Sequence, residues 1–168
     1  MSPAVLLVMG LAVMRLLELA VSRRNESRMR RRGGLEVDRR YTRLLMVFHG
    51  LYLLGFAFEA WWRRPDPIVP VPVAVAAVLL LEAFRFWCIR SLGDRWSVRV
   101  MVVPGEPPVR RGPYRWLRHP NYLVVAVEMV VFPLLFGCPA TALIGGGLKP
   151  AVVARRILAE NRILEAAP

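Results

Sequence analysis

Cysteine and lysine are both scarce in this chain of 168 residues, and their scarcity excludes several protein classes. The two cysteines, Cys88 and Cys138, lie in apolar stretches without the spacing of metal ligands. Neither a zinc site nor a disulfide scaffold is therefore indicated, and both residues are predicted to be buried in the core. Glycine-rich dinucleotide loops are absent as well. Lys149 is the single lysine, so arginine carries almost all of the positive charge.

Acidic residues are few compared with basic ones, since 12 Asp and Glu face 24 Lys and Arg and leave a net charge of +12. Such a charge is typical of proteins that bind nucleic acid or an anionic membrane surface. However, 56% of the residues are hydrophobic and the mean hydropathy is +0.42, which is high for a soluble basic domain. The chain is therefore predicted to be an integral membrane protein without a nucleic-acid partner, and its basic loops are expected to contact anionic lipids.

The apolar runs predict an all-α, polytopic membrane protein with about five transmembrane helices. The predicted spans are residues 3–21, 44–62, 68–89, 122–136 and 140–164. The first run has no basic segment before it and is followed by Arg-Arg, which favours a transmembrane helix over a cleaved signal peptide. Pro133, Gly137 and Pro139 interrupt the last apolar stretch, so the final two spans are expected to form a tight helical hairpin.

Most arginines fall in two connections that five crossings place on the same side of the membrane. Nine lie between residues 23 and 43, and six lie between residues 95 and 118. The loop between the second and third spans carries only Arg63 and Arg64. By the positive-inside rule, we expect the N-terminus outside and the C-terminus in the cytoplasm. The expected location is the cytoplasmic membrane of a bacterium, if the chain is bacterial.

Several ionisable residues lie inside the predicted spans. Two pairs are spaced three residues apart and are predicted to neutralise each other locally: Arg15 with Glu18, and Glu82 with Arg85. Three others lack such a neighbour: His49, Glu59 and Glu128. Intramembrane ionisable groups are functional candidates by default, although interface positions or helix–helix hydrogen bonds also explain the first two. Glu128 is the strongest candidate because it lies two turns after a polar segment.

That polar segment, residues 104–122, reads PGEPPVRRGPYRWLRHPNY. A proline-rich basic loop that contacts anionic lipid is one interpretation. Pro120, however, is suited to the first turn of a helix. His119, Asn121 and Tyr122 would then lie at a helix N-terminus, where backbone N–H groups bind carboxylate or phosphate groups. The alternative interpretation is therefore a cradle for an anion or a cofactor at the cytoplasmic face.

A second polar cluster, Arg156 and Glu160, lies near the C-terminus with helical spacing. The predicted hairpin would bring it close to His119 and Tyr122. A solvated amphipathic tail is the alternative, because surface pairs of this kind contribute only ~0.3–0.5 kcal/mol. The three glycines at 145–147 are expected to form a joint rather than a close helix contact, since each glycine weakens a helix by ~1 kcal/mol relative to alanine.

Together these residues resemble the isoprenylcysteine carboxyl methyltransferase family. The resemblance rests on Gly112-Pro-Tyr114, on Arg118-His-Pro-Asn-Tyr122 at the start of a span, and on Arg156-Ile-x-x-Glu160 towards the end of the chain. It covers about residues 80–165. The upstream segment 24–36, RNESRMRRRGGLE, is similar to bacterial members of the family. We therefore interpret residues 1–168 as a single membrane domain.

The resemblance implies a multi-span enzyme that transfers a methyl group from S-adenosyl-L-methionine to a lipophilic acceptor from the bilayer. Carried over by position, cofactor contacts are expected at Val109, Tyr114, His119, Pro120, Asn121, Tyr122 and Glu160. Arg156 is expected on the acceptor side, and His119 or Glu128 is a candidate base for a phenol or enol acceptor. Where the family has an H-x-L-V-like segment, this chain has Glu106-Pro-Pro-Val109, of which only the valine matches.

The identity of the acceptor is left open by the sequence. An isoprenylcysteine-like carboxylate is already a nucleophile and could be held by Arg156, whereas bacterial relatives O-methylate alkylpyrone, alkylresorcinol or alkylquinol lipids. Phospholipid N-methyltransferases and membrane sterol reductases share a related C-terminal half and are alternative enzymes. A non-catalytic membrane scaffold that binds anionic lipid is the alternative outside enzymes. The oligomeric state is not indicated.

Overall fold

The computed structural model describes residues 2–147 and is predominantly α-helical. Helix α1 (Pro3–Arg31), α2 (Arg39–Arg63), α3 (Val71–Leu92) and α4 (Pro120–Leu135) are followed by α5, which begins at residue 139 and continues to residue 147. Two short 3₁₀ turns, Gly93–Arg95 and Gly112–Arg115, lie in the long connection between α3 and α4. The predicted cluster of Arg156 and Glu160 lies outside the described residues.

Three of these helices are long and apolar enough to cross a membrane, namely α1, α2 and α3 with the turn that follows it. Helix α4 is apolar but has 16 residues, a length of about 24 Å at 1.5 Å per residue. The predicted helical membrane class is confirmed, but a count of five spans is not, since three helices within residues 2–147 meet the length. Residues 139–147 pack back against α4, as the predicted hairpin requires.

The helix boundaries follow local capping signals. The Ser2 hydroxyl accepts a hydrogen bond from the Val5 N–H at 3.4 Å, with Pro3 at the first helical position. The Asp38 carboxylate caps α2 by accepting from the Tyr41 N–H at 3.2 Å. Pro120 opens α4 as the sequence predicts. Helix α1, by contrast, extends to Arg31 rather than ending at residue 21, and its polar extension packs outside the apolar bundle.

A two-stranded antiparallel sheet, which the sequence did not predict, connects the two arginine-rich segments of this otherwise helical fold. Strand β1 (Leu35–Val37) pairs with β2 (Val100–Val102). Strands of three residues are too short to show an alternating hydrophobic pattern, which explains why the sequence did not reveal them. The pairing brings both segments to one end of the helices, which we call the basic end. Their predicted location on a common side agrees with this arrangement.

An ion-pair network connects α1, α3 and α4 inside the bundle. The Arg15 guanidinium contacts the carboxylates of Glu18 and Glu82 at 2.6 Å each, and that of Glu128 at 3.4 Å. The Arg85 guanidinium contacts Glu18 at 2.8 Å and Glu128 at 3.1 Å. Two guanidinium groups thus pair with three carboxylates from three helices.

This network corrects one sequence-based prediction. The local Arg15–Glu18 pair is confirmed, but Glu82 contacts Arg15 rather than Arg85. Glu128, which has no partner three residues away on its own helix, contacts two arginines of other helices. Helical spacing identifies partners along one helix, whereas these partners lie on neighbouring helices.

Glu59, another ionisable residue of the predicted spans, caps the start of α5. Its carboxylate accepts hydrogen bonds from the N–H groups of Ala140 at 3.2 Å and Thr141 at 2.8 Å, and from the Thr141 hydroxyl at 2.7 Å. Arg63 contacts the same carboxylate at 3.1 Å. A carboxylate at a helix N-terminus satisfies unpaired N–H groups and opposes the helix dipole. Glu59 therefore connects α2 to the second arm of the hairpin.

Helices α4 and α5 approach closely at Met129. Because Pro133 has no N–H, the Met129 carbonyl four residues earlier lacks its usual helical donor. The Tyr52 hydroxyl donates to this carbonyl at 2.8 Å, and a Cβ at Gly145 would overlap with it. The prediction of a joint at 145–147 is wrong, since the backbone is helical to residue 147 and Gly145 permits close helix packing.

We expect Gly145→Ala to destabilise the protein, because the added methyl group has to displace the Met129 carbonyl. Overpacking of this kind costs about 1–3 kcal/mol. Gly147→Ala is the matched control, since no atom of residues 2–147 lies within 4 Å of a Cβ at that position and alanine favours a helix. Thermal unfolding in detergent micelles measures both variants. Equal midpoints for the two would contradict the close contact between α4 and α5.

Arg85→Leu is expected to lower the free energy of unfolding by about 3–5 kcal/mol, because it leaves three carboxylates to share the single guanidinium group of Arg15. Arg90→Leu is the control, since Arg90 is exposed on the same helix and forms no ion pair within residues 2–147. Chemical unfolding in mixed micelles compares the two proteins. If Arg85→Leu unfolds at the same denaturant concentration as Arg90→Leu, the network does not stabilise the bundle.

Candidate functional site

A cavity of about 250 Å³ opens at the basic end of the molecule. Its walls come from Met29 near the end of α1, from the residues around β2, from the connection 106–109 and from the start of α4. Small-molecule sites typically enclose about 300–1,000 Å³. The space formed by residues 2–147 lies just below that range, so it is suited to a small organic ligand.

The structure brings most of the predicted cofactor residues to this cavity. Five of them line it: Val109, Tyr114, His119, Asn121 and Tyr122. Pro120 is buried next to them as the first residue of α4. Glu160, the remaining predicted cofactor residue, and Arg156 lie outside the described residues. About half of the residues that line the cavity therefore come from the polar segment 104–122.

Gly112 allows the segment that carries Tyr114 to lie directly against α3. Its φ angle is +57°, in the left-handed region that favours glycine. A Cβ at this position would overlap with the Ser91 hydroxyl and come within 3.2 Å of the Trp87 indole nitrogen. The neighbouring Arg111 donates a hydrogen bond to the Ser91 carbonyl at 2.6 Å. The glycine of the Gly-Pro-Tyr motif thus has a packing role.

Aromatic and amide groups at the start of α4 border the cavity. The rings of His119 and Tyr122 stack, with centroids 5.4 Å apart and planes 10° from parallel. The Asn121 Oδ1 atom is buried and has no hydrogen-bond partner in the described part of the chain. Buried polar atoms are nearly always hydrogen-bonded in native proteins. An unpaired carboxamide oxygen beside a cavity therefore favours a bound polar ligand.

The connection that departs from the family pattern also lines the cavity. The Glu106 carboxylate contacts Arg32 at 3.1 Å and Arg95 at 2.8 Å, and Arg95 also donates to the Pro107 carbonyl at 2.6 Å. This carboxylate is therefore already neutralised by the protein. Arg118 lines the cavity as well, is exposed, and forms no ion pair within residues 2–147. Its cation is available for an anionic group of a ligand.

Glu36 of β1 contacts arginines from α1, from α2 and from the segment before β2. Its carboxylate contacts Arg99 at 2.8 Å, Arg30 at 2.9 Å and Arg39 at 3.2 Å. Burial alone would raise the pKa of Glu36, but the guanidinium groups of Arg99 and Arg30 hold this pKa below its usual range. The carboxylate therefore stays ionised at neutral pH, and these ion pairs are lost only in acid, as the pH falls through the lowered pKa.

Glu128, one of the predicted catalytic residues, does not line this cavity. Its second carboxylate oxygen, Oε1, is buried without a hydrogen-bond partner among the described residues. Glu128 borders a separate space of about 30 Å³ with Arg15, His49 and Tyr52, which holds roughly one water molecule. Glu128 lies about 12 Å along α4 from Pro120 at 1.5 Å per residue. Its catalytic role stays a prediction that this position does not support.

Sequence reasoning missed the cavity wall opposite α4. That wall includes Met29, Trp96, Ser97, Arg99 and Val100. The stretch around β2 carries no recognisable motif, so no signal pointed to it. Arg118 is different, because it belongs to the Arg-His-Pro-Asn-Tyr motif and its place at the cavity was open to prediction.

Comparisons with known proteins connect the chain to a methyltransferase family and to bacterial proteins. A family model described as the isoprenylcysteine carboxyl methyltransferase (ICMT) family matches residues 73–166. The chain is similar to an uncharacterized protein of Bacillus subtilis (strain 168), YpbQ, with 32% identity over 160 residues that cover 95% of each chain. It is also similar to an uncharacterized protein of Haemophilus influenzae, with 24% identity over 148 residues, 88% of this chain and 86% of that protein.

We expect Gly112→Ala to destabilise the protein more than Gly105→Ala. Both glycines have a positive φ angle, so the backbone strain of the two substitutions is similar. Among the described residues, only at Gly112 would the added methyl group overlap with a neighbour, the Ser91 hydroxyl, because none of them lies within 4 Å of a Cβ at Gly105. The difference is expected to be about 1–3 kcal/mol. Thermal unfolding measures it, and similar losses for both variants would contradict the contact.

Proposed function

Because this chain belongs to the isoprenylcysteine carboxyl methyltransferase family, we propose that it is an integral-membrane enzyme that transfers a methyl group from S-adenosyl-L-methionine to an oxygen of a lipophilic acceptor. The observation that carries the proposal is the cavity bordered by Tyr114, His119, Asn121 and Tyr122. The acceptor is an isoprenylcysteine-like carboxylate or an alkylpyrone, alkylresorcinol or alkylquinol lipid. All of these combine an ionisable oxygen with a long apolar chain.

The residues around the cavity fit the chemical groups of S-adenosyl-L-methionine. The buried Asn121 carboxamide suits the polar edge of an adenine or the hydroxyls of a ribose. The stacked rings of His119 and Tyr122 offer an aromatic surface. Arg118 suits the carboxylate of the amino-acid part. Val109, Tyr114 and Pro120 complete the proposed set, together with Glu160.

The cofactor supplies a methyl group on a positively charged sulfonium. Since charge is lost in the transfer, the protein contributes mainly by aligning the acceptor oxygen and excluding water. In the proposed mechanism His119 accepts the proton of a phenol or enol acceptor. A carboxylate acceptor needs no base, and Arg156 would hold it through paired hydrogen bonds.

The basic end is proposed to face the cytoplasm, with the N-terminus on the other side of the membrane. Exposed arginines at this end, such as Arg23, Arg28 and Arg31, would contact anionic lipids with about 1 kcal/mol each. The cofactor would then enter from the cytoplasm and the acceptor from the bilayer. This arrangement accounts for a polar cavity at the end of an apolar bundle.

Calorimetric titration of S-adenosyl-L-methionine into the detergent-purified protein tests the proposal. We expect binding by the wild type and a loss of about tenfold or more in affinity for His119→Ala and Asn121→Ala, because each removes a polar contact. His49→Ala is the control, since this histidine borders the other cavity.

Three outcomes would contradict parts of the proposal. Absence of binding by the wild type would contradict the methyltransferase function. Binding of NADPH instead would favour a reductase. Binding of S-adenosyl-L-methionine that survives both cavity substitutions would contradict the assignment of the site alone.

A further inference from the structure

The segment 24–36 resembles bacterial family members, and the proposed function gives its exposed arginines a contact with lipid but gives its buried polar residues no role. In the structure its first residues belong to the extension of α1 beyond the apolar bundle. Ser22, Asn25 and Glu26 are buried there although all three are polar. Polar side chains are buried at a cost unless their hydrogen bonds are satisfied, so the contacts of these three indicate what the extension does.

Asn25 holds the chain just after α3. Its side-chain amide is 2% exposed and donates to the carbonyl groups of Gly93 at 3.1 Å and Trp96 at 2.9 Å. Residues 96–99 precede β2 and belong to no regular element, so their backbone groups need partners from elsewhere. A single side chain on α1 therefore satisfies the Trp96 carbonyl of this irregular segment and also holds the Gly93 carbonyl of the turn before it.

Glu26 and Ser22 hold the next part of the same segment. The Glu26 carboxylate accepts hydrogen bonds from the hydroxyls of Ser22 at 2.6 Å and Ser97 at 2.8 Å, and it contacts the Arg99 guanidinium at 3.1 Å. The Ser22 hydroxyl accepts from the Val98 N–H at 2.9 Å. Contacts from α1 thus fix the side chains as well as the backbone of residues 96–99.

The far ends of these contacts lie on the cavity. Trp96, Ser97 and Arg99 line it, whereas Asn25 and Glu26 do not. A change at either of the latter residues therefore reaches a ligand through the wall, by displacing it or, at Glu26, by removing one of the two carboxylates that pair with Arg99. Burial alone would favour an apolar side chain at position 25, but such a side chain cannot donate a hydrogen bond to the Trp96 carbonyl.

We propose that Asn25 and Glu26 are positioning residues of the cofactor site, which hold residues 96–99 in place as its wall without touching the ligand. The inference rests on the proposed function, because it takes the cavity to be where S-adenosyl-L-methionine binds. It gives the Asn-Glu pair of segment 24–36 a role in ligand binding rather than in crossing the membrane.

Calorimetric titration separates this role from a merely structural one. A loss of folding lowers the number of binding sites per molecule, while a displaced wall weakens each site. Asn25→Ala and Glu26→Ala are expected to raise the dissociation constant for S-adenosyl-L-methionine about tenfold, with an unchanged number of sites. Glu26→Gln keeps an oxygen for both serine hydroxyls but loses the ion pair with Arg99, which stays paired with Glu36, so it should lose less affinity than Glu26→Ala. Arg24→Ala, an exposed neighbour on the same helix, is the control.

Hydrogen–deuterium exchange of the ligand-free proteins gives a second readout, independent of the cofactor. Asn25→Ala is expected to speed the exchange of amides in 96–103 while those in α2 are unchanged. Unchanged dissociation constants with fewer sites, or unchanged exchange in 96–103, would overturn the inference. If the wild type binds no S-adenosyl-L-methionine, the proposed function fails. The exchange result alone then decides whether Asn25 holds residues 96–99 in place.

Discussion

Charge neutralisation inside an apolar bundle is the constraint on which the rest of this structure depends. Arg15 and Arg85 contact carboxylates from three helices, and an unpaired charge in such surroundings is strongly unfavourable. Because each guanidinium contacts more than one helix, the ion pairs restrict how α1, α3 and α4 rotate and slide. The helix ends at the basic end are thereby brought into a defined arrangement.

The same helices connect this network to the candidate site. Helix α1 continues without interruption from Arg15 to Asn25 and Glu26, so its rotation inside the bundle sets which side chains meet the segment around β2. Helix α4 contributes Glu128 to the network and the residues around Asn121 to the cavity. Helix α1 therefore holds one wall of the cavity, and α4 contributes to the opposite wall. The packing of both helices is fixed within the apolar bundle.

Local patterns in the sequence predicted the features that depend on neighbours along the chain. Pro120 begins a helix as expected, and His119 and Tyr122 lie together at its start. Prediction failed where a partner comes from a distant part of the chain. The carboxylate of Glu59 caps α5, and Gly145 lies against the Met129 carbonyl, and neither contact has a signature in composition or spacing. The small sheet and the cavity wall opposite α4 were missed for the same reason.

The central claim is that a cavity held at the end of a membrane bundle serves methyl transfer to a lipid. The most direct measurement is incubation of the protein in liposomes with lipid extracts and S-adenosyl-L-methionine labelled in its methyl group, followed by mass spectrometry of the lipids. The account predicts a labelled lipid in which one methyl group replaces a hydrogen, formed by the wild type and strongly reduced with Asn121→Ala. A protein that binds the cofactor yet leaves every lipid unlabelled would contradict it.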